Sequence, residues 1–251
     1  MAVGTQLGCI AWDQKAGYLC CGGDAGLLKI IRLESGTKGK VTTFTLDEHV
    51  KNECKVTACC WNERYKKLTS SDESGHIIVW LEDHQSWQVE MINNRGSSTV
   101  ADMQWACDGS RICIAYHDGA VIVGTVGGSR VWGKSLEMPL KLLSWSPTCQ
   151  HILFATRDAK VYVYDADGNQ ASELQLKCLE DRGPSNIAIL AWCANFSAPI
   201  LWRLRSSACA PHAHTVCAVR KHAHSCKGLC RWMHDNILSQ EQTQILQVRQ
   251  P

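Results

Sequence analysis

The amino-acid sequence predicts an all-β protein, a partial propeller of about four blades in which each blade is a sheet of four antiparallel strands. The first observation is a strand-like block that ends in tryptophan and occurs five times, at Trp12, Trp61, Trp105, Trp145 and Trp192. These tryptophans are 49, 44, 40 and 47 residues apart, a period typical of four-stranded blades. The second observation is that each complete interval divides into short strands separated by turns.

The second unit shows the predicted strand order most clearly. Its strands are expected at 56–61, 67–71, 76–81 and 87–92. Short polar segments separate them, so the unit is predicted to fold as an antiparallel meander.

The other units align with this template. Their second and third strands are predicted at 18–22 and 27–33, at 111–116 and 120–126, and at 151–156 and 160–164. The turns between these strands contain Asp118 with Gly119, and Asp158 with Ala159. Aspartate and glycine favour tight turns because aspartate bonds to its own backbone and glycine tolerates positive φ. A fifth unit opens at 186–192, and the repeat pattern is expected to stop at residue 195.

Strand periodicity also predicts which side chains lie between blades. The residues two positions before the tryptophans are apolar and share a face with the rings: Ile10, Cys59, Met103, Leu143 and Leu190. The residues directly before the tryptophans are small or polar: Ala11, Cys60, Gln104, Ser144 and Ala191. Because a blade cannot bury its faces alone, we expect the tryptophans to pack between neighbouring blades.

Composition narrows the cellular setting. The chain has 251 residues, enough to bury a core, and its N-terminal segment lacks the basic leader and apolar core of a secretory signal. The longest apolar run, 187–194, is shorter than the ~20 residues of a membrane helix. We therefore expect a soluble intracellular protein without a transmembrane segment. Its 15 cysteines are expected to stay free and to pack as small apolar side chains.

Several residues resemble those of WD-repeat propellers. The third strands end in Val79-Trp80 and in Tyr164-Asp165, which resemble the dipeptide that names the family, and His49 lies where such repeats carry a Gly-His pair. The repeats are degenerate, since Glu48 replaces that glycine and Ala25 replaces a turn aspartate.

Longer stretches are similar to one branch, the N-terminal propellers of the WD-repeat protein 35 family, which belong to intraflagellar transport complex A. They are CGGDAGLLKIIRLE (21–34), WNERYKKLTSSDESGHIIVW (61–80), EMINNR (90–95), DGAVIVGTVGGSRVWGKSL (118–136) and VYDADGN (163–169). The resemblance covers 7–192. Other WD-repeat subunits of that complex and a tubby-like protein share related propellers, but EMINNR and WGKSL favour the first branch. Family members are longer, so the chain is expected to be an incomplete, truncated propeller.

The resemblance implies a non-catalytic scaffold for protein interactions, a component of intraflagellar transport complex A in retrograde ciliary transport and cilium assembly. Its implied partners are other subunits of the complex and, through them, motor and ciliary membrane cargo. Its implied location is the cytoplasm and the cilium or flagellum with its basal body. The alternative is a WD-repeat adaptor of another intracellular complex. No cofactor, nucleic-acid partner or catalytic residue is assigned, because the sequence has no nucleophile elbow, phosphate loop or zinc-protease motif.

The segment 195–251 has a different composition from the repeats. It holds 7 Lys and Arg against 2 Asp and Glu, whereas 1–194 holds 19 against 22. His222, Cys226, Cys230 and His234 recur every four residues and would share one stripe of a helix, which makes zinc the ligand to consider. The spacing lacks a compact ligand pair, so no metal site is assigned and a zinc-dependent binding module stays an alternative. The favoured interpretation is an irregular, disordered or weakly helical tail, translated from a frameshift or a retained intron.

Overall fold

A computed structural model describes residues 6–33, 41–84, 86–96, 98–174, 187–192 and 199–203 of the chain. The calls for a metal stripe and a weak helix beyond residue 203 lie outside these ranges. Within them the fold is all-β, with four sheets of four antiparallel strands, as the sequence predicts. The described residues include no helix that is long and apolar enough to span a membrane.

Each four-stranded sheet takes its strands in chain order. The first sheet contains β1 (Leu7–Asp13), β2 (Tyr18–Gly23), β3 (Leu28–Leu33) and β4 (Val41–Thr45). The second contains β5 (Val56–Asn62), β6 (Lys67–Asp72), β7 (His76–Asp83) and β8 (Ser86–Asn94). The third contains β9 (Val100–Trp105), β10 (Arg111–Tyr116), β11 (Ala120–Thr125) and β12 (Arg130–Ser135). The fourth contains β13 (Leu140–Trp145), β14 (His151–Thr156), β15 (Val161–Asp165) and β16 (Gln170–Leu174).

A fifth unit contributes two described strands, β17 (Ile187–Trp192) and β18 (Pro199–Arg203), which pair antiparallel. The sequence analysis included β17 but placed no strand after residue 194. A proline can occupy the first position of a strand, where its missing N–H costs little. The boundary between a repeat region and a tail at residue 194 stays a prediction, and β18 lies beyond it.

The first strands of successive sheets lie side by side and carry the sheets into a stack. β1 contacts β5, β5 contacts β9, β9 contacts β13, and β13 contacts β17. Buried apolar clusters fill the spaces between the sheets; the one between the third and fourth sheets includes Cys113, Val121, Leu143 and Phe154. Because each cluster takes residues from two sheets, the stack is stabilised between neighbours rather than within single sheets.

Two short 3₁₀ turns, Asp24–Gly26 and His49–Asn52, join strands at one edge of the first sheet. A Cβ on Gly26 would meet the His49 carbonyl at 2.5 Å, and Gly26 has φ of +72°. Glycine is therefore required for the close approach of these two turns.

The expectation that all thiols stay free is wrong for one pair of described cysteines. The sulfurs of Cys107 and Cys149 form a disulfide. These residues lie in the turns that follow β9 and β13, so the bond joins the third and fourth sheets. The expectation came from the reducing compartment, which says nothing about two turns that the stack brings together.

Candidate functional site

The repeat tryptophans lie where neighbouring sheets meet. Trp61, Trp105 and Trp145 are only 5%, 3% and 6% exposed. Trp12 has the same position in the first sheet and is 40% exposed. The first sheet thus presents an open face that carries an aromatic ring, whereas the later rings are covered by the preceding sheet.

Indole hydrogen bonds connect successive sheets. Three of them run to the main-chain carbonyl directly before the tryptophan of the preceding repeat: Trp61 Nε1 to Ala11, Trp145 Nε1 to Gln104, and Trp192 Nε1 to Ser144, over 3.0, 3.1 and 3.0 Å. Trp105 instead donates to Thr69 Oγ1 over 3.0 Å. Each of the four indoles therefore packs on the preceding sheet and hydrogen-bonds to it.

A buried polar network lies between the first and second sheets. His49 and Asp72 are fully buried, and their Nδ1 and Oδ2 atoms are 2.7 Å apart. His49 Nε2 is 2.7 Å from Ser70 Oγ. Trp80 Nε1 donates to that same Ser70 oxygen over 2.8 Å. The network joins the turn between β4 and β5 to two strands of the second sheet.

The donors in this network follow from its one fixed end. Indole can only donate, so Ser70 Oγ accepts from Trp80 and directs its own proton to His49 Nε2. The remaining imidazole proton is then on Nδ1 and is donated to the Asp72 carboxylate. Both ring nitrogens of His49 are engaged, so the group suits a structural role rather than proton transfer to a substrate.

The protonation states agree with that assignment. Burial lowers the pKa of His49, and its hydrogen bond to Asp72 offsets only part of the effect. Burial raises the pKa of Asp72, but hydrogen bonds from Ser74 and His49 outweigh it and leave the carboxyl pKa lowered. At neutral pH a neutral imidazole thus donates to a charged carboxylate.

Asp118 and Gly119 form the turn between β10 and β11. Gly119 has φ of +89°, and the Ala120 N–H donates to Asp118 Oδ1 over 3.1 Å. Arg95 donates to both carboxylate oxygens of Asp118, over 3.0 and 2.8 Å. Burial raises the pKa of Asp118, but the Arg95 hydrogen bonds and the Ala120 N–H outweigh it and lower the pKa. This turn is therefore tied to the end of the second sheet.

The corresponding turn of the fourth sheet uses Asp158 and Ala159. Ala159 has φ of +64°, in the left-handed region that favours glycine. Asp158 is exposed and lies 3.9 Å from Lys160 Nζ. Such an exposed ion pair contributes little to stability.

Tyr164 and Asp165 end the third strand of the fourth sheet and have different surroundings. The Tyr164 ring packs edge-on against Phe154, with centroids 5.3 Å apart. Asp165 Oδ1 accepts from the Asp167 and Asn169 N–H groups over 3.0 and 2.8 Å. Those bonds lower the pKa of Asp165, the Asn169 N–H most of all. Tyr164 is a core residue, and Asp165 shapes the turn to β16.

Several thiols lie inside the strands in environments that keep them protonated. Burial raises the pKa of Cys20 and that of Cys113. A side-chain hydrogen bond to Cys20, together with burial, raises the pKa of Cys59. Since the thiolate is the reactive form, these described cysteines act as small core residues.

The zinc candidates His222, Cys226, Cys230 and His234 lie outside the described residues. Within the described ranges, no three histidine, cysteine or acidic side chains are grouped so as to hold a metal ion.

The outer strands present apolar side chains. Val41 on β4, Ile92 on β8 and Val131 on β12 are 51%, 53% and 40% exposed. These strands occupy the ends of their sheets in the described structure. Exposed apolar groups on a sheet rim suit contact with another protein.

The sequence analysis did not identify Ser70 or Asp72, although it named their partners His49 and Trp80. The available signal was the polar run Ser70, Ser71 and Asp72 inside a predicted strand. A buried strand with consecutive polar residues needs hydrogen-bond partners. Only the fold shows that His49, 21 residues before Ser70, provides one.

A family model described as WDR35/TULP4 N-terminal matches residues 1–224. WD repeat-containing protein 35 of Homo sapiens is 40% identical over 198 residues, which cover 75% of this chain and 17% of that protein. The same protein of Mus musculus matches with the same identity and coverage. Tubby-related protein 4 of Homo sapiens is 33% identical over 169 residues, 64% of this chain and 11% of that protein. The chain thus spans less than a fifth of the length of these curated relatives.

Among solved structures, a chain from a crystal structure of a mitotic checkpoint complex superposes with a TM-score of 0.58. The alignment covers 76% of this chain and 56% of that one, at 19% identity. At this identity the similarity shows the fold alone.

Proposed function

The chain belongs to the WDR35/TULP4 N-terminal propeller family, and from that premise we propose that it is a non-catalytic protein-interaction scaffold of intraflagellar transport complex A. The observation that carries the proposal is the match itself, at 40% identity over 198 residues. A WD-repeat propeller in this family provides a rigid stack whose rims and loops can bind other proteins.

Two features of the surface support a scaffold. The outer strands expose apolar side chains, Ile92 and Val131 among them. The polar groups that the family resemblance pointed to, such as His49 and Trp80, are used inside the stack rather than at its surface. The chain therefore offers surface for binding, and its most elaborate polar group is structural.

The finer parts of the proposal concern partners and place. The partners are other subunits of the transport complex and, through them, the motor and ciliary membrane cargo. The chain acts in retrograde ciliary transport and cilium assembly, in the cytoplasm, the cilium or flagellum and its basal body. It carries out no covalent chemistry. An adaptor role in another complex is the alternative that the experiment below distinguishes.

Co-purification of the full chain from ciliated cells tests this function. We expect a tagged chain to recover subunits of the transport complex, identified by mass spectrometry. Recovery of a different complex, with none of those subunits, would overturn the proposal in favour of another adaptor role.

A rim variant sharpens the same experiment. Ile92→Asp places a charge on an exposed apolar position of β8, whereas Gln88→Asp places it on an exposed polar position of the same strand. We expect Ile92→Asp to lower recovery of the subunits several-fold and Gln88→Asp to leave it near wild type. Both variants must first show wild-type melting, since a folding defect would lower recovery without any contact being lost.

A further inference from the structure

Strand register identifies one position in each blade where the third strand faces the preceding sheet. The second strand pairs with it through the residue that also faces the repeat tryptophan. The equivalent pairs are Leu19 with Ile31, Leu68 with Trp80, Ile112 with Gly124, and Ile152 with Tyr164. The second and fourth sheets thus carry large aromatic rings at this position, and the third sheet carries glycine.

The aromatic rings fill the spaces between their sheets. Trp80 is 3% exposed and belongs to the buried cluster between the first and second sheets. Tyr164 is 5% exposed and packs against Phe154 and Trp145 between the third and fourth sheets. Gly124 provides no ring for the space between the second and third sheets.

A cavity of about 260 Å³ occupies the space that a side chain at Gly124 would enter. Its wall is mainly branched aliphatic: Ile77, Val79, Ile112, Ile114 and Ile122. A Cβ built on Gly124 would meet its nearest neighbour, the Ser129 carbonyl oxygen, only at 3.5 Å. The space is thus open on the glycine side and apolar on the others.

The loop after β11 keeps one end of the cavity free of side chains. It contains Gly127 and Gly128, and Gly128 has φ of +89°. Met91 of the second sheet lies against the Gly128 backbone, where a Cβ would clash with it. Methionine is flexible, so this contact can adjust to an occupant without a change of the main chain.

Two arginines lie at the cavity. Arg95 is neutralised by Asp118 and its guanidinium lies over the Tyr116 ring, 4.9 Å from the centroid. Arg130 is exposed and makes no ion pair with the described residues. The cavity therefore combines an apolar interior with an unneutralised positive charge at its edge.

We propose that this cavity binds an aromatic side chain of a partner peptide that carries acidic residues beside the ring. The volume suits one inserted ring, since it lies below the roughly 300–1,000 Å³ of small-molecule sites. Aromatic anchors in desolvated pockets dominate many protein interfaces, and a carboxylate next to the ring would pair with Arg130. The inference deepens the proposed scaffold function and rests on it only in that the occupant is a protein.

Fluorescence anisotropy with the full chain tests the site. The probe is a labelled, capped peptide Asp-Asp-Glu-Trp-Glu-Asp-Asp, and its control has alanine in place of tryptophan. We expect the alanine peptide to bind at least tenfold more weakly. Gly124→Tyr places the ring of the fourth sheet in the cavity and should weaken binding of the tryptophan peptide at least tenfold.

Charge variants keep the test valid if Gly124→Tyr fails to fold. Arg130→Glu reverses the charge at the cavity and should weaken binding at least tenfold, whereas Arg64→Glu makes the same charge change in the exposed turn after β5 and should not. Equal binding of the two peptides, or equal loss in both charge variants, would overturn the proposal. Binding of 3-phenylpropionate but not of the tryptophan peptide would also overturn it, since the site would then be one for small molecules.

The outcomes separate this site from the broader function. A chain that recovers transport subunits from cells but does not distinguish the two peptides refutes the cavity proposal alone. A chain that binds the tryptophan peptide but recovers another complex refutes the assignment to the transport complex alone.

Discussion

The space between the first and second sheets and the space between the second and third sheets are built on the same strand register but packed in opposite ways. The first holds the His49 network and the Trp80 ring. In the second, the positions equivalent to Ser70 and Asp72 are Ile114 and Tyr116, and the position of Trp80 is Gly124. The repeat therefore sets where strands lie, while a few third-strand and second-strand residues decide whether the space is filled, polar or open.

The largest effect should come from Trp61→Ala. The Trp61 ring is 5% exposed, stacks on Tyr18 with centroids 5.9 Å apart, and donates to the Ala11 carbonyl. Its loss leaves a large cavity between the first two sheets and should lower the free energy of unfolding by about 3–5 kcal/mol, and we expect Trp145→Ala to behave similarly.

Trp12→Ala is the matched control for that change. Trp12 has the equivalent place on the open face and is 40% exposed, so its loss should cost less than about 1 kcal/mol. Urea denaturation followed by circular dichroism compares the two variants. Equal destabilisation would show that stacking between sheets is not what buries the later rings.

A smaller loss is expected from His49→Ala. The change removes the partner of Asp72 and of Ser70 inside a buried space, and should lower the free energy of unfolding by about 2–3 kcal/mol. Ile114→Ala in the other space removes only apolar contacts and is the comparison. The prediction fails if hydrogen exchange of β6 amides is the same in His49→Ala and in wild type.

Acid should weaken the first space through the same groups. The pKa of His49 is lowered on folding, so the unfolded chain binds a proton there at higher pH than the folded chain. Stability is then lost as pH falls through about 6.5, the usual histidine value, and the lowered pKa of Asp72 extends the loss toward about pH 4 and below. Denaturation midpoints at pH 7.5 and 5.0 should fall more in wild type than in His49→Gln; an equal fall in both would contradict the assignment.

The smallest effect, and one of opposite sign, is expected from Gly124→Ile. Isoleucine is the residue at the equivalent position of the first sheet, Ile31. It removes a strand glycine and partly fills the cavity, which should stabilise the fold by about 1 kcal/mol. For a chain of this size that is a rise in Tm of about 2–4 °C, measurable by differential scanning calorimetry. A lower Tm would mean that the cavity is too tight for a branched side chain.

Much of the fold could be predicted from the sequence, because period and alternation are local properties. The predicted strands agree with the structure within one or two residues, as at β10 and β14, where they coincide. β18 was missed, since its five residues belong to no complete repeat in the sequence. The disulfide between Cys107 and Cys149 was also missed, because 42 residues separate the two in sequence and only the stack brings their turns together.

The candidate site was less predictable than the fold. Gly124 appears in sequence as one residue of a glycine-containing hairpin. Its meaning depends on the alignment with Trp80 and Tyr164, which hydrogen-bond register supplies. A missing side chain leaves a cavity only when the neighbouring sheet does not fill the space.

The sequence by itself determined the all-β class, the blade period and the family, since these depend on residue type and spacing along the chain. Tertiary structure alone decided that Trp12 is open while Trp61 is covered, that His49 donates to Asp72, and that Gly124 leaves a cavity. The physical reason is that burial and hydrogen bonding between sheets depend on which faces meet, and residues from different repeats create those faces together.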